Sequence, residues 1–159
     1  MVSDADVLEV TRQLGRPARG ILEVAARCVC GRPVVVKTTP RLEDGTPFPT
    51  LFYLTQTAAT AAVSTLEASG FMVEMQQRLA EDDQIRAGYL LAHRSYLAER
   101  DQIEVVPELN DFSAGGMPIR VKCLHALVAH SLAKGEGSNP IGDLALEALD
   151  WSIKVCSCN

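Results

Sequence analysis

No apolar run in this chain approaches the roughly 20 residues needed to span a bilayer; the longest candidate, residues 58–63, is a short alanine-rich segment. The N-terminus lacks the basic stretch and apolar core of a signal peptide, so a cytoplasmic protein is expected. There is no basic tract either. Fifteen Lys and Arg stand against 20 Asp and Glu, for a net charge of −5. That balance gives no footprint for nucleic acid or for an anionic membrane surface, and neither is expected as a partner. Repeats, low-complexity tracts and long linkers are absent, and 159 residues suffice for one domain with a real core, so 1–159 is read as a single domain. No P-loop or dinucleotide spacing, serine elbow, H-E-x-x-H or paired-carboxylate motif occurs. Five cysteines is an odd number without a secretory signal. They are expected as thiols, metal ligands or buried small hydrophobes rather than a disulfide framework.

What is present alternates between two periods. Ser3 with Asp6 marks a helix start, Val7, Val10 and Leu14 keep helical spacing, and Gly15 and Pro17 end it. From about residue 20 to 28 the period is two, with Leu22, Val24, Ala26 and Cys28 on one face. A turn at 30–33 leads to a second strand, 34–38, and a Pro-rich loop leads to a third, 51–55. Short connections predict an antiparallel meander. Helices are expected at 57–69, 71–79, 83–100, 118–134 and 140–154. The class is α+β, a small three-stranded sheet covered by five to six helices.

Reactive side chains concentrate in residues 113–134. Gly115-Gly116 and then Pro118 read as the opening of a helix, where free amides attract anions and Arg120 and Lys122 add positive charge. A small anion held by Gly115, Gly116, Arg120 and Lys122 is one reading, and a plain loop with solvated cations is the other. On a 100° wheel Cys123 and His130 share a flank about 10 Å apart in rise, whereas His125 projects from the opposite flank. Any metal must therefore draw ligands from other elements. The first and third strands run the same way, so Cys28 and Gln56 share one end of the sheet. Cys28-x-Cys30 and Cys156-x-Cys158 have a one-residue gap, not the two-residue gap of common zinc knuckles. Cys28 is accordingly expected as a buried small hydrophobe and the terminal pair as a frayed tail. Cys123 with His125 or His93 makes a candidate thiolate–imidazole pair. The default for His93 is a core-edge histidine on the Tyr89–Tyr96 stripe.

The segments G-I-L-E-V-A-A-R-C, V-V-K-T-T-P-R-L-E-D-G-T-P-F-P-T-L-F-Y-L-T, A-H-R-S-Y-L-A-E-R, G-G-M-P-I-R-V-K-C-L-H-A-L-V-A-H-S-L-A-K and N-P-I-G-D together resemble the bacterial domain of unknown function 501 family, in its actinobacterial branch. The resemblance runs from about Arg12 to Leu149 and implies kinship without an activity. It implies recurring polar positions at Cys28, His93, Arg120, Lys122, Cys123, His125 and His130. Relatives carry His or Cys where this chain has Gln56, which implies a metal ligand beside Cys28 in those relatives; Gln is a poor ligand for a soft metal. Ile119 likewise stands where the family commonly has an acidic residue.

Three functions are weighed. The first is a metal- or small-anion-binding domain at the start of the 118–134 helix, with Cys28, Cys123 and His125 as ligands for a transition metal such as zinc. An adaptor binding a protein partner is the second, linked by the family's gene context to cell division or polyphosphate metabolism. The third is a thiol-dependent enzyme with Cys123 as nucleophile and His125 or His93 as base.

Overall fold

A computed structural model describes residues 2–158. Ser3 caps α1 (Asp4–Leu14): its hydroxyl accepts the Asp6 N–H at 3.1 Å, and the Asp6 carboxylate accepts the Ser3 N–H in return. The chain then forms β1 (Ile21–Arg27), β2 (Pro33–Thr38) and β3 (Phe52–Leu54), an antiparallel meander in the order β1-β2-β3. The helices α2 (Thr57–Glu67), α3 (Phe71–Glu81), α4 (Asp83–Ile103), α5 (Leu124–Lys134) and α6 (Pro140–Ala148) follow. The fold is α+β, a three-stranded antiparallel sheet with six helices.

β2 is the centre of the assembly. Val34, Val35 and Val36 are consecutive, and each is at most 2% exposed. An unbroken buried run requires cover on both faces, which fits α1 packed on β2 and α5 laid across all three strands. α6 and α2 pack on α5, so the largely buried α5 segment is the hub of the helical layer. Tyr96 of α4 ties the layers together, its hydroxyl accepting the Leu51 N–H at 2.5 Å.

Three expectations require correction. β1 does not bury one clean face: Leu22 is 37% exposed, and the β1–β2 register slips three times, each slip shifting the alternation. The helix expected from 118 begins instead at Leu124. Gly115 (φ +64°) and Gly116 (φ +95°) fold the preceding loop back on itself: the Gly116 carbonyl accepts the Arg120 N–H and the Gly115 carbonyl accepts the Lys122 N–H. A Cβ on Gly116 would lie 2.7 Å from the Arg120 oxygen, so this loop requires glycine. Finally, the last helix stops at Ala148 rather than near 154. Leu149 is extended, and the tail returns to the sheet, where the Trp151 indole N–H donates to Gln56 Oε1 at 2.9 Å.

Candidate functional site

The returning tail brings its two cysteines to the β1–β2 turn. The sulfurs of Cys28, Cys30, Cys156 and Cys158 all lie within 4.8 Å of one another. The turn is built for close approach: the Cys28 N–H donates to Arg32, the Gly31 N–H donates to Cys28, and Gly31 takes φ +92°. Cys28 is buried, Cys158 half-buried, and Cys30 and Cys156 exposed. Cys28 is buried in the hydrophobic core, as expected, but its sulfur also belongs to this group, and the terminal pair is no frayed tail.

Gln56 organises the inner side of the thiol cluster. Its Oε1 accepts the Trp151 indole N–H and the Ala59 N–H, which leaves its NH₂ to donate to Cys158 Sγ at 3.0 Å. It sits at the sheet end shared with Cys28, as strand direction predicts, but serves as N-cap of α2 and as a donor to sulfur. The cluster's electrostatics are divided. An N–H from Arg32 bonds the Cys30 sulfur and brings that thiol down to about 7. Burial pushes Cys158 up to about 11, with Cys28 and Cys30 adding to the rise. Four thiols this close cannot all ionise unaided, because each thiolate opposes the next. A divalent cation removes that conflict. Tetrahedral Zn–S bonds of about 2.3 Å place sulfurs about 3.8 Å apart, so the cluster needs only small side-chain adjustments to match.

A second group lies at the amino end of α5. Cys123, His125 and Glu67, the last residue of α2, also bring their donor atoms within 4.8 Å. The wheel reading that set Cys123 and His125 on opposite flanks fails because Cys123 is not helical. It is the N-cap of α5, with φ −146° and ψ 107°. Glu67 Oε2 accepts the Leu124 N–H at 2.9 Å and lies 3.3 Å from His125 Nδ1. His125 Nε2 is 3.2 Å from both the Thr60 carbonyl and Ser64 Oγ. A carbonyl can only accept, so Nε2 carries a hydrogen and Nδ1 is the nitrogen free to exchange a proton. Burial raises the Cys123 thiol, but His125 and the Ala126 N–H outweigh it, and the net direction is down. His125 moves up, chiefly because of Cys123, with Glu67 and Thr60 contributing.

The remaining candidates stand elsewhere. Cys28 belongs to the four-thiol group and Cys123 with His125 to the other, so the triad Cys28, Cys123, His125 is not brought together. Arg120 and Lys122 are exposed, and the Gly115 and Gly116 carbonyls are engaged within their own loop. His93 is buried in α4, its Nδ1 2.7 Å from Ser113 Oγ, and desolvation lowers its pKa. His130 is fully buried, stacked on Phe52 at 5.8 Å and edge-on to Tyr96, and burial takes it to about 4. Among the residues that sequence reasoning missed, Glu67 left no signal, being one carboxylate at a helix end. Cys30, Cys156 and Cys158 left one: two C-x-C pairs at opposite ends of the chain.

The family profile described as "Protein of unknown function (DUF501)" matches residues 24–147, most of the chain. The protein belongs to this family. Neither the curated proteins nor the solved structures contain a significant match. Among the described residues no helix is long and apolar enough to cross a membrane.

Proposed function

We propose that this protein is a transition-metal-binding domain, with zinc as the fitting ion, and that its metal centre is the tetrathiolate Cys28, Cys30, Cys156 and Cys158. The convergence of four sulfurs from opposite ends of the chain carries this reading. An all-sulfur, four-ligand set is the closed coordination of structural zinc, which leaves no open position for substrate. The centre then acts as a staple holding the C-terminal tail against the β1–β2 turn within a single domain. Gln56 fits the role of an outer-sphere donor, since hydrogen bonds to ligand atoms orient and tune a metal site. Arg12 lines a surface hollow with Cys158, its guanidinium paired with Glu9. Reduced thiols of this kind also fit a cytoplasmic setting.

Metal analysis of protein purified without an affinity tag tests the reading. One equivalent of zinc is expected in the wild type, and less than about a tenth in a Cys156→Ser/Cys158→Ser variant. A full equivalent in that variant would exclude this centre.

A further inference from the structure

The Cys123 group differs in kind from the tetrathiolate, because it has three dissimilar side chains and opens onto a cavity. That cavity has a volume of about 270 Å³ and is bounded by Phe52, Tyr53 and Leu54 of β3, Thr60 of α2, Cys123 and His125. Its walls are mainly apolar and carry no Lys or Arg. Glu67 stands behind His125 and disfavours an anionic guest. Cys123 is half-buried and lines this space.

We propose that Cys123 is a nucleophile, with His125 as its proton carrier and Glu67 as the residue that positions the imidazole, acting on an uncharged acyl group seated in this cavity. The thiol proton passes to His125 Nδ1, giving a thiolate and an imidazolium held between sulfur and Glu67. The sulfur attacks the acyl carbonyl carbon, and a C–S bond forms. The bond from that carbon to its leaving heteroatom breaks with its electron pair, and His125 returns the proton to the leaving group. Water, deprotonated by His125, then cleaves the thioester and restores the thiol. The Thr60 carbonyl and Ser64 hold Nε2, so the ring keeps Nδ1 toward its partners. The titratable groups facing the pair are Glu67 from α2, Tyr53 across the cavity and Tyr96 from α4. No residue is shared with the tetrathiolate, so the two proposals stand or fall separately.

4-Nitrophenyl acetate serves as the acyl probe, followed by acid quench and peptide mapping. Trypsin cleaves after Lys122 and Lys134, isolating Cys123 as the only cysteine of its peptide. The proposal expects acetylation on that peptide at pH 7, at least tenfold faster than on N-acetylcysteine amide, an ordinary blocked thiol that is only about 3% ionised there. The pH midpoint of the reaction should lie below that of N-acetylcysteine amide. Loss of the Glu67 charge alone would move the midpoint down, since that carboxylate raises the Cys123 thiol; a role through the imidazolium predicts that Glu67→Gln moves it up instead, and that His125→Gln slows acetylation several-fold. The wild-type rate and midpoint decide the matter even if neither variant folds. Labelling confined to other residues, or a Cys123 rate and midpoint equal to those of N-acetylcysteine amide, would overturn it. So would a second equivalent of zinc that disappears in Cys123→Ser, since the group would then be a metal site.

Discussion

Removing the metal should loosen the fold by an amount set by the span of the crosslink. Cys30 and Cys156 lie 126 positions apart. For a link closing a loop of that length, chain entropy lost from the unfolded state corresponds to about 5 kcal/mol at 25 °C. A chain of this size shifts its Tm by about 2–4 °C per kcal/mol. Chelation should therefore lower Tm by about 10–20 °C, with metal binding to the unfolded chain reducing the effect. The assay is calorimetry of the zinc-loaded protein with and without a strong chelator, under reducing conditions. The Cys156→Ser/Cys158→Ser variant is run alongside. Its Tm should match that of the chelated wild type and should not respond to the chelator. A chelation shift under about 2 °C in a protein shown to hold one zinc would refute the staple, because the ion would then not be joining the tail to the turn.

Three further outcomes follow from particular contacts. Gln56→Ala removes the donor to Cys158 and the acceptor for Trp151; zinc affinity measured by competition with a chromogenic chelator should fall about 10–100-fold, whereas an unchanged affinity would remove Gln56 from the site. His130 is held neutral when folded, at about 4 against 6.5. The unfolded chain binds the proton first, so stability is full above pH 6.5 and falls as pH drops toward 4, by up to about 3 kcal/mol. In urea titrations His130→Phe should show a flatter pH dependence over that window, and parallel curves would contradict this. Gly116→Ala sets a Cβ against the Arg120 carbonyl at positive φ; thermal melts should show a loss on the order of 1–3 kcal/mol, and a neutral result would mean the loop does not need this conformation.

The fold's elements were legible where punctuation and period agree. Ser3 with Asp6, the valine run of β2 and Asn139-Pro140 each announce an element through local chemistry, and each element starts within a residue of where expected. The start of α5 was not legible for a definable reason. Pro118 after two glycines satisfies every local rule for a helix N-terminus, yet the turn closed by the glycine carbonyls keeps residues 118–123 out of the helix. That displacement changes the chemistry, because an extended Cys123 can meet His125 where a helical one would point away. The thiol cluster was hidden differently. Each C-x-C pair is weak by its own spacing, and only the return of the tail past Trp151 unites them. Such a return depends on a contact between Gln56 and Trp151, 95 positions apart, that no periodicity encodes. Glu67 reaches the second site by the same kind of long-range packing, through the Leu124 N–H.

X-ray absorption at the zinc edge of the untagged, zinc-loaded protein tests the metal centre most directly. Four sulfur scatterers at about 2.3 Å and no nitrogen or oxygen are predicted. A first shell containing imidazole or carboxylate ligands would place the ion elsewhere and contradict the assignment to Cys28, Cys30, Cys156 and Cys158.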